Sequence, residues 1–339
     1  MKKLCCLILC LLIAPWASAT RLVMISHAPN SDKWWSVIKQ SIQDASQDLG
    51  IQIEYWNPPD GDLKKMAALL EKARQEHVDG VMTTIADFNT LAPAIQALGK
   101  DHIPVVTFNS GLNSQSNVLG ALMHIGQPEY QAAYEAGERA RKEGAKRVVC
   151  LNNFANNSVS NDRCRGFAEG TGNGAENAML VIDGNENDSR TKIFNYLSAH
   201  PEIDSVMALG PMSAHPLLDV MKKLPNRQLK VYTFDLSDRI VQAIKTGDIR
   251  FAIDQQPYLQ GYISAMVLNY WLTMPHPDNN VLADIDKINK KVKNNPKLLE
   301  RLKEYGLSPV YKARNIQSGP GFVTKENASN VEKYAGKYR

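Results

Sequence analysis

The sequence predicts an α/β protein made of two doubly wound parallel-sheet lobes joined by a multi-crossing hinge. Three observations carry this expectation. Strand-like and helix-like segments alternate from residue 21 to residue 255, and the series restarts near residue 147, which implies two successive βα domains. The stretch 103–109 (Ile-Pro-Val-Val-Thr-Phe-Asn) is a largely apolar run, the pattern of a strand covered on both faces of a parallel sheet. A chain of 339 residues also exceeds one comfortable core. The two halves share no close sequence repeat, so the similarity between them is architectural.

In order, residues 21–26 read as a strand, 32–49 as a helix, 51–56 as a strand and 62–77 as a helix. Residues 78–85, 89–99 and 103–109 continue as strand, helix and strand, and 113–125 is less regular. An Ala-rich helix over 129–143 leads to the second series, with strands at 147–152, 179–184, 206–210, 230–235 and 251–255 and helices at 162–170, 189–200, 214–224 and 238–247. The charged run from Glu186 to Arg190 reads as a solvated loop entering a helix. The segment 279–301, rich in Lys, Asn and Asp, reads as a helix-and-loop excursion with a solvated face, and 307–311 and 321–323 look extended. A strand after two complete series implies that the chain returns to the first lobe. The expected division is therefore 20–125 with 256–339 for the first lobe and 126–255 for the second.

The stretch Phe251-Ala-Ile-Asp-Gln-Gln-Pro257 is the most informative corner. An apolar strand ends in polar Asp254, Gln255 and Gln256, and Pro257 stands where a helix start tolerates a missing N–H. Amide side chains beyond the carboxyl end of a parallel strand suit a polar ligand, because open α/β sheets bind at that edge. A plain β-to-α corner with solvated glutamines is the alternative.

Residues 1–19 carry Lys2 and Lys3, an uncharged apolar run and Ala17-Ser18-Ala19, the pattern of a cleaved secretory signal peptide. Cys5, Cys6 and Cys10 lie within that run, and no later stretch is apolar for long enough to span a bilayer. An exported, soluble location in the periplasm follows as an expectation. Removing Lys2 and Lys3, the only charged residues of the leader, lowers the formal charge from +4 to +2, too near neutrality for nucleic acid as the main partner. Cys150 and Cys164 remain as a candidate disulfide, with two buried thiols as the alternative.

Several motifs then fall in a familiar order. Asp32-Lys-Trp-Trp35 follows the first strand, Val78-Asp-Gly-Val-Met82 and Ile103-Pro-Val-Val-Thr-Phe-Asn109 follow in the first series, and His124-Ile-Gly-Gln127 sits at the first crossing. Arg163-Cys-Arg-Gly-Phe167, Tyr232-Thr-Phe-Asp235 and the corner at Gln255 complete the set. On these residues the chain resembles the type I periplasmic sugar-binding proteins, the ribose-binding and autoinducer-2-binding group of ABC-import receptors. The resemblance implies a ligand site at Asp32, Trp34, Trp35 and Asn109 from the first lobe, Arg163 and Asp235 from the second, and Gln255 at the hinge, with Asp254 beside it.

The chemistry of those residues is consistent with that role. Sugars present C–H faces and dense hydroxyls, which flat aromatics, carboxylates, amides and a forked guanidinium can match. Each has a plainer alternative: Asp32 and Asp235 as helix caps, one of Trp34 and Trp35 as core, Arg163 in a salt bridge. Three departures stand out. Asn109 stands where many relatives place Asp, Ser110 replaces the Arg of the ribose receptors, and Gly210 stands where the family has an Asn, so Met212 is free to fill volume against an apolar part of the ligand.

Enzymatic readings have little support. The seven histidines show no paired metal-ligand spacing, Cys150 and Cys164 are not a Cys-x-x-Cys pair, and there is no phosphate-cradling glycine loop or nucleophile elbow. No cofactor and no metal are expected. The expected protein is a monomeric receptor for a small polyhydroxylated, sugar-like ligand that serves an inner-membrane ABC permease. The alternative is a sensor that presents its closed form to a membrane histidine kinase or chemoreceptor.

Overall fold

A computed structural model describes residues 20–154, 157–174, 179–182, 185–276 and 280–339; the expected leader at 1–19, residues 183 and 184 of the strand expected over 179–184 and Asn279 lie outside the described residues. The first series comprises β1 (Arg21–Ile25), a 3-10 turn (Lys33–Trp35), α1 (Ser36–Leu49), β2 (Gln52–Trp56), α2 (Leu63–Gln75), β3 (Gly80–Thr83), α3 (Phe88–Lys100), β4 (Val105–Phe108), α4 (Asn113–Val118) and β5 (Met123–Gly126). The second comprises α5 (Glu129–Lys142), β6 (Val148–Asn152), α6 (Ser158–Thr171), β7 (Met179–Val181), α7 (Glu186–Ala199), β8 (Ser205–Ala208), α8 (Pro211–Lys223), β9 (Lys230–Phe234), α9 (Asp238–Thr246) and β10 (Phe251–Asp254). The remainder is α10 (Pro257–Thr273), α11 (Val281–Lys293), α12 (Pro296–Tyr305), β11 (Val310–Lys312), β12 (Asn315–Gln317), β13 (Gly321–Thr324) and α13 (Ala328–Val331).

Among the described residues these strands form two mostly parallel sheets, ordered β11-β12-β5-β4-β3-β1-β2 and β13-β10-β9-β8-β6-β7. The long apolar runs are explained by cores on both faces of each sheet. Along β1, Leu22 and Met24 face the core shared with α1 and α10, while Val23 and Ile25 face the core shared with α2 and α3. Each such side chain contributes about 1.5–3 kcal/mol on burial, so a polar residue on either face of a central strand would be costly. The helix α10 is apolar around most of its circumference because it is enclosed, with Pro257 to Leu268 all buried.

The irregular region around 113–125 separates into a short helix, α4, and the buried strand β5. The charged run Glu186 to Arg190 is the first turn of α7 rather than a loop: the Asn185 side chain accepts the Asn187 and Asp188 N–H groups and caps that helix. The tail also differs from expectation. β11 and β12 extend the first sheet, but β13 pairs antiparallel with β10 on the edge of the second. Its Val323 enters the second sheet's core, so 256–339 is shared between the sheets rather than given wholly to the first. The polar excursion folds into two amphipathic helices, whose Ile285, Ile288, Val292 and Leu298 join the core of the first sheet.

Two features fix the second half around the site. Cys150 on β6 and Cys164 on α6 form a disulfide, both half-cystines buried. Helices α5 and α6 approach so closely that a Cβ at Gly166 or Gly170 would overlap the Tyr130 or Tyr134 carbonyl. No helix among the described residues is long and apolar enough to cross a membrane.

Candidate functional site

The carboxyl ends of the parallel strands in both sheets face one another across a cleft, the position at which doubly wound sheets bind ligands. Its inner cavity has a volume of about 80 Å³. One water needs roughly 10–15 Å³ on that scale, so the cavity takes a group of several water-sized units. The two sides nearly touch: Asn157 Nδ2 lies 3.5 Å from Ser110 Oγ, and the His27 and Phe154 rings meet edge to face at 6.5 Å.

The first side is built of amides and aromatics. Asn109 follows β4 in the left-handed conformation at φ 56°, which Asn tolerates better than most residues. Its N–H donates to the Ile125 carbonyl at 3.1 Å, and its Nδ2 donates to Gln255 Oε1 at 3.2 Å and Gln260 Oε1 at 3.0 Å. Trp35 is buried in the core, edge-on to Phe108 and His27, whereas Trp34 is only partly buried and exposes more of itself to the cleft. Asp32 caps the 3-10 turn by accepting the Trp34 N–H at 3.1 Å and also lines the cavity. Burial raises its carboxyl above the ordinary aspartate range. His27 is bonded to Thr84 Oγ1 at 2.9 Å, and burial pushes its imidazole down to about 4, so it is neutral near pH 7.

The second side is ionic. Arg163 on α6 is held by Glu129 at the start of α5, through Nε to Oε2 at 2.6 Å and Nη2 to Oε1 at 2.9 Å. Both residues are buried, at 6% and 4% exposure, and the guanidinium lies 4.3 Å over the Phe234 ring. Two of its N–H directions are therefore fixed by a carboxylate, which presents the remaining edge to the cavity in a set orientation. Asp235 follows β9 at φ 63° and its N–H donates to the Ile253 carbonyl at 2.8 Å. Its Oδ1 accepts from Gln255 Nε2 at 2.6 Å. Burial pushes its carboxyl up to about 7 against the opposing pull of Arg163 and that amide bond.

All seven residues expected from the sequence, Asp32, Trp34, Trp35, Asn109, Arg163, Asp235 and Gln255, line this one cavity. Gln255 links the sides, since it accepts from Asn109 and donates to Asp235. Asp254 is not part of the wall: it is buried, accepts the Gln256 N–H at 2.8 Å and pairs with Arg339. Capping and lining turn out to be compatible at Asp32, whereas α9 is capped by Ser237 and leaves Asp235 free for the cavity. Arg163 is likewise both a salt-bridge partner and a lining residue.

Sequence reasoning missed Glu129, His27, Ser160 and Phe154. Glu129 carried only the signal of an acid at a helix start, and nothing local joined it to Arg163, 34 residues away. Met212 is also among the residues lining the cavity. Gly210 itself is at φ 143°, where a Cβ would stand 3.0 Å from Asp235 Oδ2, so the usual Asn would crowd that carboxylate.

A two-lobed α/β fold with a polar and aromatic cleft between its sheets is the architecture of the solute-receptor class of binding protein. A family model for the periplasmic binding protein domain matches residues 22–273, and the chain belongs to that family. It is 30% identical to a carbohydrate transporter from Acidothermus cellulolyticus 11B crystallised in complex with myo-inositol; the match covers 94% of this chain and 99% of that one, with a TM-score of 0.77. It is 23% identical over 332 residues to the xylose/arabinose-binding protein of Sulfolobus acidocaldarius, covering 91% of this chain and 79% of that protein. Over 301 residues it is 23% identical to the ribose import binding protein of Haemophilus influenzae, covering 86% of this chain and the whole of that protein.

Proposed function

We propose that the protein is a periplasmic receptor that binds a small, neutral, polyhydroxylated ligand between its lobes and delivers it to an inner-membrane ABC permease. The observation that carries this is the cleft itself: amide, aromatic, carboxylate and guanidinium groups from both sheets converge on a cavity of about 80 Å³. Asp32, Asn109 and Asp235 accept hydroxyl protons, Arg163 and Gln255 donate, and Trp34 covers a C–H face. The residues act as binding groups, and the reading is of a receptor, not an enzyme.

The division into lobes at the crossings near residues 126 and 255, and motion about them, belong to this reading. A ligand that touches both sides at once stabilises the closed form and shifts the population towards it. The leader at 1–19 supplies the route to the periplasm, where the Cys150–Cys164 disulfide is stable. The names of the relatives describe import and sugar binding and do not favour the sensing alternative.

The experiment is a thermal-shift screen of the chain beginning at Thr20 against pentoses, hexoses, inositols and other polyols. A ligand at about 100 times its Kd adds about 2.7 kcal/mol of stability, a readable shift. A hit abolished in Asp235→Ala and Arg163→Ala supports the reading, while silence across the panel removes the sugar ligand from it.

A further inference from the structure

The C-terminal residues make a connection that the cleft does not explain. From β13 and α13 the chain is packed on the second lobe, where Val331 and Ala335 are core residues and Glu332 pairs with Lys245 at 3.0 Å. Within three residues it is on the first lobe. The Tyr338 ring stacks on Tyr305 at 4.3 Å and lies 5.8 Å from Tyr258, and Ser36 Oγ donates to the Gly336 carbonyl at 3.2 Å. Arg339 then reaches the hinge. Its Nε donates to Asp254 Oδ2 at 2.7 Å, and its Nη1 to the Tyr305 and Gly306 carbonyls at 3.3 and 3.2 Å.

Asp254 is 1% exposed, and a carboxylate so placed requires a cationic partner. Its other oxygen accepts the N–H of Gln256, which stands at φ 52°, a conformation a long side chain adopts only when its surroundings impose it. Gln256 Oε1 in turn accepts the Ser308 N–H at 2.6 Å. Between these two fixed residues lies Gln255, the side chain that bridges Asn109 and Asp235.

We infer that residues 332–339 form a strap between the lobes, and that Arg339 is a positioning residue which, through Asp254, holds Gln255 in its ligand-ready place and restrains lobe opening. The strap must stretch or release whenever the lobes part, because its two ends are anchored in different cores. This inference does not depend on which solute the cleft takes.

The test compares wild type, Arg339→Ala, Arg339→Lys and the double variant Arg339→Ala/Asp254→Asn. Small-angle scattering of each without sugar reads the lobe separation, and calorimetric titration with myo-inositol reads the cleft. The expected result is a larger radius of gyration for Arg339→Ala and an affinity weakened by roughly two- to thirtyfold, the range over which residues outside a site modulate coupling. Arg339→Lys recovers part of both. The double variant leaves no unpaired charge, so it recovers thermal stability but keeps the altered lobe separation, and it stands in if Arg339→Ala does not fold. A radius and affinity equal to wild type in Arg339→Ala, or full recovery of both in the double variant, would overturn the inference and leave Arg339 as charge compensation alone. Should myo-inositol bind none of the proteins, it is not the ligand of this cleft, and the scattering still decides the strap.

Discussion

The two sides of the cleft use one backbone device for opposite chemistry. In each, a parallel strand ends in a residue with left-handed φ, whose N–H is taken by the neighbouring strand's carbonyl: Asn109 after β4 and Asp235 after β9. On the first side that residue is an amide among amides and aromatics. On the second it is a carboxylate near a buried ion pair. The fold therefore supplies the position, and the neighbours decide which group is tolerable there. Asn109 can both donate and accept, which suits Gln255 and Gln260; Asp235 endures burial because Arg163 and the Gln255 amide oppose its desolvation.

The largest expected effect is on the ionic side. Glu129→Ala leaves Arg163 buried without its carboxylate, and should cost about 3–5 kcal/mol in urea unfolding. A loss below ~1 kcal/mol would mean that the pair is solvated and the sides are alike. On the apolar side, Trp35→Ala should cost a similar ~3–5 kcal/mol, because that ring is core, and should do so with no sugar present. Trp34→Ala should spare stability by comparison and act on ligand affinity.

The sides should also answer pH with opposite signs. Asp235, moved from 3.8 to about 7, favours the folded state in its protonated form. Its contribution is complete below about pH 4 and lost as pH rises through about 7, so Asp235→Asn should flatten a fall in stability over that interval. His27, moved from 6.5 to about 4, favours the folded state when neutral. Its contribution is present above about pH 6.5 and lost as pH falls through about 4, so His27→Gln should reduce acid sensitivity. Urea midpoints at pH 4.5, 6 and 8 separate the two; slopes of the same sign would break the contrast. A smaller effect is expected for Asn109→Ala, about 1–3 kcal/mol for the orphaned Gln260 carbonyl, since Gln255 Oε1 keeps the Gln260 amide at 3.0 Å, read from the same unfolding curves.

What was legible in the sequence follows from what leaves a local mark. Strands covered on both faces are largely apolar, with only small or hydrogen-bonded exceptions such as Thr107, so the alternation announced two mostly parallel sheets. Cavity-lining residues that end strands or open helices, such as Asn109, Asp235 and Gln255, stand at recognisable punctuation. Partnerships between distant segments leave no such mark: nothing near Arg163 pointed to Glu129, and nothing near Asp254 pointed to Arg339. The return of β13 to the second sheet was hidden for the same reason, since a four-residue strand records its extended shape but not the edge it joins. At Glu186 to Arg190 the charges implied solvent correctly but concealed a helix capped by Asn185.

The central claim is that both sides grip one ligand. Calorimetric titration of wild type, Asn109→Ala and Asp235→Ala with the sugar that gives the largest thermal shift tests it most directly. The account predicts one site per chain and a loss of affinity of about tenfold or more in each variant, the equivalent of at least about 1.4 kcal/mol from either side. Affinity unchanged in either variant would show that the ligand is held by one lobe alone, and would contradict it.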